Sequence, residues 1–420
     1  MEYLKVIGYL IGYHRKLQNI KINNLIKFND YIKNRYCKDC QKRCNKKYIC
    51  SDRTLYKIEN GSVVNDECVY INLIDNLNMH FTSNRILLNK LDLFKNIIVE
   101  CLLNVNKSSM ISILNDITVE LDSSVDTIYV SSILNLYKDI IQYKLYEIMP
   151  SSNNLKIYIF LYDKLDNINK NIIINLFYTL RYKNDLALTF VNNNKNYFDY
   201  ENRLLFEPKL LEIREQDYIK GYETISEIDI NYLNDYQQFL VFNSFAFIQL
   251  NLNLFDKCKY SLEKCLDIYQ KNDYPIIIGK NTSRQLAMVS YMLNDYEDCI
   301  NYLKMASNDL NDDIMAQYAL LFDSYQKLNR INEMKQILKE INTKTLLVKE
   351  YVIYYKLKYE KDLDITQMIK LEDYINQSIV PIINKTGMIF KNIFKKEIMT
   401  LVSQTKRYKS LFIYEETTIF

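Results

Sequence analysis

Glycine and proline are scarce in this chain and tryptophan is absent: 420 residues hold six glycines, four prolines and two histidines. Few residues are therefore free for tight turns, for close approach of backbone to a ligand, or for punctuating short strands. That shortage argues for an almost wholly helical protein and against a glycine-rich loop that cradles phosphates. His14 and His80 both lie near the start, which leaves the rest of the chain without a histidine base, and paired acids such as Glu212 and Glu215 read as helix-surface charges. No enzymatic activity is expected. No run of about 18 uninterrupted apolar residues occurs, so no membrane span is expected. The opening "MEYLKVIGYLIGYHRK" has an acid at its second residue and no basic leader, unlike a signal peptide. The expectation is a cytoplasmic protein whose nine cysteines, an odd number, are mostly reduced thiols.

What is present points to size and repetition. With 48% hydrophobic and 25% charged residues the chain can bury a substantial core, and it exceeds the usual ceiling for one compact domain, so several domains or a repeat array are expected. Ile, Asn, Lys and Tyr abound, all with AT-rich codons, so asparagine enrichment by itself says little. Charge is uneven: residues 1–80 hold 14 Lys/Arg against 8 Asp/Glu, and the remainder holds 40 against 43. The basic end is where a polyanion would bind.

The stretch "CKDCQKRCNKKYICSDRTLYKIENG", residues 37–61, combines a cysteine cluster with a short helix. Before it, Ile7, Leu10, Ile11 and the segment His14 to Leu17 recur at helical spacing, and a second helix is expected through Leu25, Ile26 and Phe28. In "SDRTLYKIENG" Ser51 is the N-cap, Asp52 sits where the helix dipole favours an anion, and Gly61 lies just past the end. Leu55 and Ile58 bury one side and leave Arg53, Thr54, Tyr56 and Lys57 outward, a face that suits the major groove. Val69, Leu73, Ile74 and Leu77 form the core face of a further helix.

Ile7, Gly8, Arg15, Ile58, Glu59, Asn60 and Gly61, with the lead-in Ile49, Cys50 and Ser51, resemble the helix-turn-helix domain of the XRE (lambda-repressor-like) regulators. The resemblance implies contact with double-stranded DNA through Ser51, Arg53, Thr54, Tyr56, Lys57 and Arg15. Two departures stand out. Lys21, Ile22, Leu25 and Ile26 occupy positions where the family has a Ser/Thr cap, a DNA-touching Gln and Leu-Ala, and about twenty residues are inserted before the recognition helix. The insertion, about 31–48, carries Lys33, Arg35, Lys38, Lys42, Arg43, Lys46 and Lys47 against Asp39 alone. Either it is a solvated basic loop, or it runs beside phosphates, with Lys47 adding sequence-blind, salt-dependent affinity. Cys37, Cys40, Cys44 and Cys50 have the spacing C-x2-C-x3-C-x5-C. Structural zinc, an iron–sulfur cluster and plain unliganded thiols all remain open for them, and Cys50 also has an ordinary explanation as a small packing residue.

Beyond residue 80 a repeat emerges. "YIKGYETISEI" (218–228), "FDKCKYSLEKCLDI" (255–268), "YEDCINYLKMA" (296–306) and "INEMKQILKEI" (331–341) align through Gly221 and Ile228, Cys258 and Cys265, Cys299 and Ala306, Met334 and Ile341. The offsets of 37, 41 and 35 residues bracket a tetratricopeptide repeat. Ala246 and Ala287 mark the close-approach position of the preceding helix, so Cys258, Cys265 and Cys299 read as packing residues. The predicted architecture is all-α: a lambda-repressor-like helix-turn-helix bundle over 1–80, then a right-handed TPR-like α-solenoid over 81–420, with its clearest repeats at 200–342 and a cap at 343–420.

The inner face of each first helix presents Asn243, Phe247 and Asn251, then Asn281, Arg284, Met288 and Tyr291, then Asp323, Gln326 and Lys327. Carboxamides both donate and accept, so such a face grips a peptide backbone while apolar neighbours take its side chains. Head and body together resemble the RRNPP group of peptide-pheromone receptors, including Rgg-like and PlcR-like regulators. That resemblance implies a homodimer on a two-fold operator, controlled by a short signalling peptide in the groove. The alternative is a TPR interaction scaffold with a degenerate, weakly DNA-binding head.

Overall fold

A computed structural model describes residues 2–27, 48–81, 85–123, 128–195, 202–215, 217–306, 317–341, 349–360, 363–386 and 388–418. The chain is all-helical, and among the described residues there is no strand, only an isolated antiparallel bridge between Lys27 and Tyr48. No helix among the described residues is long and apolar enough to cross a membrane. Side-chain caps start many of the helices: Ser51, Ser151, Asp166, Asn184 and Asp364 each accept a hydrogen bond from the amide three residues on.

The fold divides into two compact units. The first comprises residues 1–216, 226–240 and 272–275, so the expected head shares one unit with the helices that follow it. It begins with α1 (Glu2–Leu17), α2 (Ile22–Leu25), α3 (Asp52–Glu59) and α4 (Glu67–Asp75). Ile7, Leu10, Ile11, Leu55, Ile58, Tyr70, Leu73 and Ile74 are fully buried and form the core of this bundle. Leu17, expected on the core face, points outward at 65% exposure, because α1 ends there. The expected second helix shrinks to the single turn of α2, and Phe28 lies outside the described residues. The bundle meets the helix Ser152–Leu161 and the turn after it through ring contacts: the Tyr13 ring lies 4.7 Å from that of Phe160, and Lys164 Nζ sits over the rings of Phe160 and Tyr9. Here α5 is Arg85–Asn104, α6 Lys107–Ser123, α7 Val130–Tyr146 and α8 Ser152–Leu161.

The second unit comprises residues 217–225, 241–271 and 276–420. It contains three helix pairs: Asp235–Asn251 (whose second half belongs here) with Phe255–Lys271, Ile276–Met292 with Tyr296–Ala306, and Gln317–Lys327 with Ile331–Glu340. Each pair turns on an asparagine in the left-handed region, Asn253, Asn294 and Asn329, with φ of 58°, 62° and 56°. All three turns close with the same two bonds. The asparagine amide donates to the carbonyl three back, and the next amide to the carbonyl five back, as in Leu254 to Gln249, Asp295 to Ser290 and Arg330 to Tyr325 at 2.8–2.9 Å. Asparagine tolerates this backbone where most residues do not.

Small residues sit where these helices cross. Cys258, Cys265, Cys299, Ala246, Ala287 and Ala306 are buried, and the Cys258 thiol lies 3.2 Å from the Ala246 carbonyl oxygen. Burial pushes the Cys258 and Cys299 thiols up to about 12, as inert packing groups. Later in the unit Tyr351, Tyr354 and Tyr355, fully buried on Glu350–Glu360, surround Phe394.

Candidate nucleic-acid interface and peptide face

The helix α3 is held by its neighbours through the residues that carry the sequence motif. Gly8 lets α1 approach so closely that a β-carbon there would overlap the Ile58 carbonyl oxygen. Gly61 adopts φ of 81°, and a β-carbon on it would meet the Tyr9 hydroxyl. Asn60 Nδ2 donates to the Tyr56 carbonyl at 2.7 Å and Gly61 N to the Ile58 carbonyl at 2.9 Å, which closes the helix. Arg15 Nε and Nη2 donate to the two Glu59 oxygens at 2.5 and 2.8 Å, and Nη1 reaches the Ile20 carbonyl at 3.3 Å. The hydrogen bonds to Glu59 raise the Arg15 pKa.

With Leu55 and Ile58 inward, α3 exposes Arg53, Tyr56 and Lys57. Ser51 is exposed but spends its hydroxyl on the cap: Oγ accepts from Thr54 N at 3.2 Å and lies 2.9 Å from Thr54 Oγ1. Thr54 is half-buried. Arg15, expected at DNA, is instead committed to Glu59, so its role in this geometry is to fix the pose of α3. Lys47 lies outside the described residues.

Two backbone links explain how a long insertion leaves this joint intact. Lys27 and Tyr48 pair, and Ile49 N donates to the Ile26 carbonyl at 2.7 Å, so the chain leaves and returns at neighbouring points. Asn76 Nδ2 at the end of α4 donates to the Leu25 and Lys27 carbonyls at 2.6 and 2.8 Å. Of the cysteine cluster, Cys37, Cys40 and Cys44 lie outside the described residues. Cys50 is half-buried, and burial, with Asp52 nearby, pushes its thiol up to about 11. Among the described residues no group of three or more His, Cys, Asp or Glu gathers to hold a metal.

In the second unit the ten residues expected on the peptide face separate into groups, with Lys327 exposed. Tyr291 OH donates to Asp323 Oδ2 at 2.6 Å, and Asp323 is buried. Burial raises the Asp323 carboxyl pKa, against which the Tyr291 hydrogen bond works. Gln326, one turn beyond Asp323, bonds the Tyr359 hydroxyl. With its amide oxygen toward Lys358 Nζ (2.7 Å) and its nitrogen toward Glu397 Oε1 (3.3 Å), both ends of Gln326 are satisfied. Lys358 Nζ and Tyr354 OH donate to Glu397 at 2.6 and 2.7 Å. Lys358, Tyr359, Tyr354 and Glu397 thus join the polar set although no repeat pattern marked them; the dense "YYKLKYE" of 354–360 was the available signal.

Two of the other expected residues bond within their own helices. Asn251 Nδ2 donates to the Phe247 carbonyl at 2.8 Å, and Arg284 Nη1 to Asn281 Oδ1 at 3.3 Å. Asn243 is half-buried, the Phe247 ring meets that of Tyr218 edge-on at 6.3 Å, and Met288 packs on the core. A cleft of about 410 Å³ opens near this region, lined by Tyr222, Phe242, Phe245, Gln249, Tyr260 and Ser261 among others, and by none of the ten. Residues 242, 245 and 249 occupy a different face of the helix from 243, 247 and 251. Glu215, read as a surface charge, pairs with the buried Arg181 in the first unit.

Comparison with known proteins adds no family: the chain matches no model of a known protein family, and a search of curated proteins finds no match.

Proposed function

We propose that this chain is a transcriptional regulator that binds duplex DNA as a dimer through a helix-turn-helix head and senses a short peptide on a TPR-like body. One observation carries the reading. The short helix α3 is capped by Ser51, clamped by Gly8 and the Arg15–Glu59 pair, and turns Arg53, Tyr56 and Lys57 to solvent. A rigid, shallowly anchored helix with cationic and hydrogen-bonding side chains outward is what major-groove reading requires. The three helix pairs with identical asparagine turns support a TPR-like body. A peptide that binds two arrangements of that body with unequal affinity would shift the balance between them.

A scaffold reading is favoured by one feature: α2 is a single turn whose N-cap, Lys21, makes no side-chain capping bond, so the head's first groove-facing helix is minimal. Mobility shift against the DNA upstream of the chain's own coding region separates the two. Arg53→Ala should cost about 1 to 3 kcal/mol of operator affinity and relax specificity. Equal, weak binding of all duplexes by the unaltered chain would leave the scaffold as the better account. Isothermal titration with peptides encoded in neighbouring short reading frames tests the body separately.

A further inference from the structure

The helix Tyr408–Thr417 carries large apolar side chains on both its faces. Ser410 and Tyr414 are its buried residues, and Tyr414 OH donates to the Lys391 carbonyl at 2.6 Å. Three others face water: Tyr408 is 64% exposed, Phe412 60% and Ile413 37%. Helical spacing puts Tyr408, Lys409, Phe412, Ile413 and Glu416 on one outward stripe, opposite Ser410, Leu411 and Tyr414. The neighbouring helix Met388–Thr405 extends the patch. Lys395 pairs with Glu415 at 2.9 Å across the two helices, and Met399, one turn beyond Lys395, is 48% exposed.

The charges on this stripe are placed against the helix itself. Lys409 lies in the first turn and Glu416 in the last, each at the end whose partial charge it shares. Both are exposed and neither has an ion-pair partner among the described residues. An apolar centre with a cation at one end and an anion at the other is complementary to its own antiparallel copy.

We propose that two copies of the chain meet on this face, as antiparallel Tyr408–Thr417 helices related by a two-fold axis between Phe412 and Ile413. Phe412 then packs on Ile413 of the second copy, and Lys409 pairs with Glu416 of the second copy, each contact occurring twice. This deepens the dimeric reading above by giving the dimer an interface. Its test uses no DNA, so it can fail while operator binding stands.

The test is sedimentation velocity of the full chain over about 1 to 100 µM, the range suited to a modest interface. The unaltered chain should be dimeric and Phe412→Lys monomeric at unchanged helical content. Lys409→Glu and Glu416→Lys should each weaken association about tenfold or more, because each puts like charges together twice. The chain carrying both reversals should return to within about threefold of the original, since opposite charges again meet. A monomeric unaltered chain, a dimeric Phe412→Lys variant, or a double reversal weaker than either single one overturns the proposal. Should Phe412→Lys fail to fold, the charge-reversal set decides alone.

Discussion

Arg15 and Glu59 lie 44 residues apart and form a two-pronged ion pair between α1 and α3, with side chains only 14% and 10% exposed. Sheltered from water, the pair acts as a fixed joint that a surface salt bridge would not provide.

Removing one partner strands the other. Arg15→Ala leaves the Glu59 carboxylate without its cation and should destabilise the head by about 3 kcal/mol. The double variant Arg15→Ala with Glu59→Ala should lose less than Arg15→Ala alone, because no stranded charge remains. Amide hydrogen exchange over residues 52–60 reads this directly. Unchanged protection in Arg15→Ala would show that apolar packing by Leu55 and Ile58 holds α3 unaided.

The left-handed asparagines make a second expectation. Asn294→Gly should change stability by no more than about 0.5 kcal/mol, whereas Asn294→Val should cost about 1 to 2 kcal/mol, because a β-branched side chain opposes that backbone. The Gly variant also loses the bond from Tyr296 OH to Asn294 Oδ1, 2.8 Å, which is exposed and contributes little. Thermal melting distinguishes them. Equal melting temperatures would mean that the turn relaxes out of the left-handed region.

Asp323 should make the stability of the second unit depend on pH. Burial favours its neutral form, so the folded carboxyl titrates above the unfolded one. Its neutral form therefore adds stability below the ordinary carboxylate range, and that contribution is lost as pH rises through the raised folded value. Lys327 and Lys396 oppose the shift, and Glu397 reinforces it. Asp323→Asn keeps an acceptor for Tyr291 and removes the charge. Its melting temperature relative to the unaltered chain should rise between mildly acidic and neutral pH. A constant difference across that range would assign the effect to packing alone.

Much of the head was legible because its signals are local. Ser51 as a cap, Leu55 and Ile58 as the inward pair, and Gly61 as the stop all depend on residues within one or two turns. The buried cysteines at 258, 265 and 299 were legible too, since small residues recurring once per repeat mark where helices cross. The turn asparagines were also written in the sequence, as Leu252-Asn253, Leu293-Asn294 and Leu328-Asn329, each two residues before the second helix of its pair. A composition rich in asparagine hid them, because frequency is no guide to backbone geometry.

The helical class, the inward and outward faces of α3 and the spacing of the second helices can be read from residue order alone, since each follows from side-chain periodicity and caps that act over a few residues. The packing of distant helices sets the rest: Arg15 is spent on Glu59, Lys358 and Glu397 join Gln326, and Phe412 faces water. Those outcomes depend on which distant helix a side chain meets, and the energy of a pair between helices is set by separation and burial that periodicity along one helix does not encode.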